Sequence, residues 1–275
     1  MDRIRLIASD LDATLLDENS RLPAGFADTV RTLTQKGIRF AAASGRPLYT
    51  LERMFGDLLD RIVLIGDNGG AVRWKGESLF VSEMAPEGWR ELARACRAAG
   101  HIAVLCGLER AYVERDAAPY DAVIRHFYTN MEYVDDLTAV CAPVVIFTVY
   151  LPQDNAQEAF DAVYAQLCRG RFSAAVAGSC WVDVMNPGIH KGAAVAALGQ
   201  RWGISSAEMM AFGDTFNDVE MLCTAKYGFL VENGSPELRG KVPFRAPSNR
   251  EQGVMQVLRR VLEQDGCVSP EDFLR

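Results

Sequence analysis

Short apolar runs and segments of helical period alternate along the first part of the chain. Ile4 to Ser9 is apolar and stops abruptly at Asp10. Ala24 to Lys36 then has helical spacing before Gly37, so the pattern predicts a strand, a loop and a helix. The rhythm repeats. Ile38 to Ala43 ends in Ser44-Gly45-Arg46-Pro47, Leu48 to Leu59 has helical spacing, and Ile62 to Ile65 ends in Asp67-Asn68-Gly69-Gly70. Strands alternating with helices imply a parallel, doubly wound sheet.

The pattern changes after Asn68. Ala71 to Ser82 alternates around Lys75-Gly76 like a hairpin, and residues 86–184 read as helix, two strands, helix, strands, helix and a last strand through Ser179 to Val184. The first rhythm returns at Lys191: Gly192 to Trp202 is helical, Met209 to Phe212 a strand, Asp218 to Thr224 the start of a helix, and Tyr227 to Val231 a strand. The expected fold is therefore α/β, a Rossmann-like doubly wound parallel sheet carrying an inserted α+β domain. Residues 1–84 and 185–275 would form the core and residues 85–184 the insertion. Asp265 to Arg275 reads as an ordinary polar tail.

Composition narrows the function. The chain has 275 residues, 49% of them hydrophobic, enough for two cores. A formal net charge of -7 argues against a nucleic-acid binder, which usually presents a basic face to phosphates. A small anionic substrate needs only a local cationic pocket. The seven cysteines are scattered and show no CxxC spacing, so reduced thiols in a cytoplasmic protein are expected. No signal peptide or membrane-spanning stretch is expected, and oligomeric state is not legible.

The candidate chemistry lies at the strand ends. Asp10 and Asp12, two positions apart just after a strand, can face one site where doubly wound folds bind ligands, although such pairs also serve as turn or capping residues. Ser44-Gly45 offers a hydroxyl and a backbone N–H at a helix start, a natural seat for phosphate or simply a turn. Lys191 opens a helix and could deliver a cation to phosphate, or be a solvated lysine. Gly213-Asp214-Thr215-Phe216-Asn217-Asp218 is an oxygen-rich loop of the kind that suits magnesium. Each loop alone is weak evidence; together they are difficult to ascribe to chance.

At this point the chain resembles the haloacid dehalogenase superfamily, and within it the Cof-type phosphatases with a large α/β cap. The resemblance rests on Asp10-Leu11-Asp12-Ala13-Thr14, Ser44-Gly45-Arg46, Asn68-Gly69, Lys191-Gly192, Gly213-Asp214 with Asn217-Asp218, and Asn249 with Gly253. It implies a magnesium-dependent phosphatase of small phosphorylated metabolites, sugar phosphates first. Asp10 would be the nucleophile and Asp12 the acid and base, with neighbouring carboxylates or exclusion of water keeping Asp12 protonated when needed. Mg2+ would be held by Asp10, the Asp12 carbonyl and Asp214, with Asp218 placed to orient its waters. Ser44, Gly45, Lys191 and Asn217 would hold the phosphoryl group.

The same aspartyl phosphate could serve a phosphomutase or phosphotransferase. A receiver-type signalling domain would not need Asp12 or the insertion, and a non-catalytic phosphosugar-binding protein would be expected to lack Asp10 or Asp12. The motif usually has Gly where this chain has Ala13; a positive φ there would cost roughly 1 to 2 kcal/mol. The strand Cys180 to Val184 could present Trp181 or Asp183 to a leaving group, or only pack them. His190 is expected to face solvent or cap a helix, and the insertion is expected to act as a mobile cap.

Overall fold

The computed structural model describes residues 1–273. An eight-stranded sheet runs in the order Phe244–Ala246, Tyr227–Val231, Met209–Gly213, Leu6–Ser9, Arg39–Ala43, Ile62–Gly66, Ala71–Trp74 and Glu77–Val81. The first six strands are parallel and the last two add an antiparallel hairpin. Helices cover both faces of the parallel run, which is why its central strands are almost wholly apolar.

Successive residues of each central strand divide between two cores, as a period of two requires. Ile7, Phe40, Ala42, Ile62 and Leu64 pack with helices Phe26–Gln35, Leu48–Phe55 and Gly253–Glu263. Leu6, Ala8, Ala41, Val63 and Ile65 pack with Lys191–Trp202 and Val219–Thr224. From the central strand Leu6–Ser9 the chain winds first to one side, then resumes on the other at Met209–Gly213. The strand order therefore reverses between these two neighbours. Their carboxyl ends, Asp10 and Asp214, flank the crevice where such sheets bind ligands.

Residues between the two runs build a second, six-stranded sheet: Ser173–Ala177, Trp181–Met185, Val144–Tyr150, Ile102–Gly107, Ala111–Glu114 and Met131–Val134. It is antiparallel apart from its last pair. Helix Pro86–Ala98 and the helical run from Ala156 to Cys168 cover one face, where Val182 and Val184 lie. Trp181 and Asp183 alternate to the opposite face and line a cavity shared with Asp10. No helix among the described residues is long and apolar enough to cross a membrane.

Several elements differ from expectation. Ser173–Ala177 is a strand the sequence analysis did not assign; its small side chains carry little pattern, and it forms by pairing with Trp181–Met185. The expected polar tail is instead built into the fold. Cys267–Val268 pairs with Asp2–Arg3, Val268 is buried, and the Phe273 ring meets Phe229 edge-on at 5.1 Å. The last two residues of that segment, Leu274 and Arg275, lie outside the described residues.

Candidate active site

The local fold forces the carboxylates together. Asp10 continues the ladder, its N–H donating to the Phe212 carbonyl at 2.9 Å, so the Asp10 loop leaves the sheet beside the Gly213-Asp214 loop. Gly213 is required there, because a Cβ would lie 2.5 Å from Cβ of Asp218. Asp218 is fully buried and accepts from the backbone N–H groups of Asp214 at 3.0 Å and Thr215 at 3.3 Å. Lys191, also buried, donates to Asp218 at 2.7 Å and to Oδ1 of Asp10 at 2.6 Å. Its helix is capped by His190, whose Nδ1 accepts from the Ala193 N–H at 3.2 Å. Gly69, at φ +100°, closes the approach: a Cβ there would meet the His190 carbonyl oxygen at 2.6 Å.

One lysine does not balance these carboxylates. Asp10, Asp214 and Asp218 each place an oxygen within 4.8 Å of the others. Burial, with Asp218 and Asp12 nearby, raises Asp10 to about 7 despite Lys191. Burial and the charges of Asp10 and Asp218 raise Asp214 to about 8. Lys191 moves up as well, since the two carboxylates outweigh the effect of its burial. Oδ2 of Asp10 is buried without a hydrogen-bond partner, and Asp214 accepts only a long bond, 3.4 Å, from Thr14. An oxygen-only cluster with excess negative charge, in which Asp214 accepts only one long hydrogen bond, fits a hard divalent cation.

The carboxylate of Asp12 is turned elsewhere. Arg46 grips it with Nε at 2.8 Å and Nη2 at 2.6 Å, and also reaches the His126 carbonyl at 3.3 Å. Its hydrogen-bond partner is thus a cation; of the two surroundings the sequence reading allowed for Asp12, neighbouring carboxylates or exclusion of water, the carboxylates of Asp10, Asp214 and Asp218 make no hydrogen bond with it. Ala13 has φ 60°, so the left-handed turn that the motif's usual Gly would serve is present and is occupied by a residue with a Cβ. Asn233 braces this turn by donating to the Ala13 carbonyl at 2.7 Å. Asn249 anchors the brace through its own N–H to Asn233 at 3.0 Å, and its amide donates to the Leu16 carbonyl at 2.9 Å.

The remaining candidates converge on one cavity of about 280 Å³, lined by Asp10, Asp12, Ser44, Gly45, Lys191, Asp214 and Asn217 among others. Asp218 lies behind this wall, both oxygens already accepting hydrogen bonds. The Ser44 hydroxyl accepts from the Arg46 N–H at 3.1 Å. Asn217 donates to Asn68 at 3.2 Å, and Asn68 donates to Asp183 at 2.7 Å. A larger groove of about 640 Å³ beside Arg39, Glu52 and Arg73 contains none of these groups; the chemistry, not the volume, marks the site.

Sequence reasoning gave no role to Arg46, Thr14, Asn68 or Asn233. Arg46 and Asn68 lay within quoted motifs, but their partners are distant in sequence, and nothing in the chain singles out Asn233.

The model of the haloacid dehalogenase-like hydrolases matches residues 7–258. The chain belongs to this family. It is 29% identical over 269 residues to the 5-amino-6-(5-phospho-D-ribitylamino)uracil phosphatase of Escherichia coli K12, covering 95% of this chain and 97% of that one. It is 28% identical over 248 residues to an HMP-PP phosphatase of Cronobacter sakazakii, covering 87% and 88%. A solved Streptococcus mutans structure superposes with TM-score 0.88 at 25% identity, covering 94% of this chain and 99% of the other. The fold and the expected enzyme class, a phosphoric monoester hydrolase, stand.

Proposed function

We propose that this enzyme hydrolyses small phosphorylated metabolites through an aspartyl phosphate on Asp10, assisted by magnesium. The observation that carries the reading is the buried Lys191 shared by Asp10 and Asp218, beside an unpartnered Oδ2 of Asp10 on the cavity wall. Asp10 and Asp214 would hold the ion directly and Asp218 would steady the set; when bound, the ion supplies charge neutralisation for phosphoryl oxygens.

The residues divide the remaining work. Lys191 fixes one oxygen of Asp10, which aims the other at phosphorus. As the Asp10–phosphorus bond forms, the bond from phosphorus to the leaving oxygen breaks, and that oxygen takes a proton from Asp12. Water then attacks the aspartyl phosphate, gives its proton to Asp12, and releases phosphate with Asp10 restored. Ser44, Gly45, Lys191 and Asn217 surround the position of the phosphoryl group, so catalysis is positioning and charge stabilisation. The inserted unit acts as the cap, with Arg46 and the Asn68–Asp183 hydrogen bond docking it in the closed arrangement.

The test is a phosphoenzyme trap. An Asp12→Ala variant incubated with acetyl phosphate and magnesium, then acid-quenched, should carry a phosphoryl adduct on the peptide containing Asp10, and Asp10→Asn should abolish turnover. Undiminished hydrolysis by Asp10→Asn would refute the mechanism.

A further inference from the structure

The part of the cavity wall contributed by the inserted unit carries three aromatic rings. It consists of Phe127, Tyr128, Ala177, Gly178, Trp181 and Asp183. Trp181 is held by neighbouring rings, with Phe127 edge-on at 5.4 Å and Tyr150 at 4.7 Å. The Arg46 guanidinium lies 4.9 Å from the centre of the Phe127 ring while it grips Asp12. The aromatic wall therefore begins one guanidinium's width from the group that protonates the leaving oxygen. Rings fixed in advance lose little freedom on binding.

Polar recognition on this side is largely committed. Asp183 accepts from Asn68 at 2.7 Å and from Thr148 at 2.8 Å, so both of its oxygens are engaged. Arg46 is engaged by Asp12 and His126. A sugar brought here would give up water from several hydroxyls with few groups to replace it, and such losses are costly. A flat ring would instead exchange water for stacking.

We propose that Trp181 and Phe127 select phosphate esters whose leaving group carries a planar aromatic or heteroaromatic ring on a short linker. This rests on the phosphatase reading above and changes its expected substrate from a bare sugar phosphate to a ring-bearing ester. Specificity would then be set by the shape and polarisability of the leaving group.

The experiment compares kcat/KM for benzyl phosphate, cyclohexylmethyl phosphate and ribose 5-phosphate, with acetyl phosphate as a leaving-group-independent control. The first two have similar bulk and differ in planarity. Benzyl phosphate should be preferred over cyclohexylmethyl phosphate roughly tenfold, the size expected for two aromatic contacts. Trp181→Leu should bring that ratio towards one, while Trp181→Phe should retain most of it. A wild-type ratio near one, or preference for ribose 5-phosphate, would overturn the inference and leave the phosphatase reading intact. Turnover of none of the four compounds would overturn that reading and the inference with it. If Trp181→Leu does not fold, the wild-type ratio and the Trp181→Phe comparison still decide.

Discussion

Replacing Lys191 with Met keeps most of the side-chain volume and removes the cation between Asp10 and Asp218. The side chain is 1% exposed, its nitrogen lies 2.6 and 2.7 Å from the two carboxylates, and Asp214 shares the cluster. Breaking a buried ion pair by deleting one partner costs about 3 to 5 kcal/mol, because the surviving charge stays buried. For a chain of this length the unfolding entropy is about 0.6 kcal/mol/K, so the midpoint should fall by about 5 to 9 °C. Thermal denaturation at neutral pH with chelator is the measurement. Magnesium should restore more of the midpoint in the variant than it adds to wild type, since a divalent ion would neutralise the same oxygens. A chelated variant within about 1 °C of wild type would mean that the carboxylates do not depend on Lys191 for charge balance.

Asp214→Ala should weaken magnesium binding more than Asp218→Ala in calorimetry, whereas Asp218→Ala should lower the thermal midpoint more, because it removes one of the two carboxylate partners of Lys191 and strands two backbone N–H groups. Ala13→Gly relieves the left-handed backbone but frees the unfolded chain, for a net gain of about 0.5 to 1 kcal/mol in denaturant unfolding; a loss would mean that the Ala13 methyl group packs usefully. Burial raises Asp183 to about 6. Its proton is bound more tightly in the folded state, so stability falls as pH rises from about 4 to about 6, by about 3 kcal/mol from this group. Asp183→Asn should flatten that part of the stability profile, and an unchanged slope would refute the assignment.

The core was legible because its strands end in chemistry. Asp10, Ser44 and Asp214 each follow a patterned strand and Lys191 opens a patterned helix, and the reversal of strand order brings the Asp10 and Asp214 loops together. The insertion was readable as an α+β unit, but Ser173–Ala177 escaped because its small residues give no period and its partner strand defines it. Phe244–Ala246 and Gly253–Glu263 were not assigned either, although Asn249 and Gly253 had been noted beside them. The environment of Asp12 was unreadable for a different reason. Arg46 lies 34 residues away and His126 80 residues beyond it, separations at which sequence pattern is silent.

The Arg46 guanidinium joins three things: the Asp12 carboxylate on the core, the end of helix Asp121–Phe127, and the ring of Phe127. Free-energy coupling through such a junction is reciprocal: whatever factor a change at Asp12 contributes to docking of the inserted unit, docking contributes to that change at Asp12. Proton transfer at Asp12 in the proposed reaction and docking of the inserted unit are thereby linked through one side chain. In the proposed reaction the leaving oxygen takes the Asp12 proton and leaves a carboxylate that Arg46 holds more tightly, whereas the water of the second step returns a proton and loosens that hold, so the latch would ease as phosphate is released.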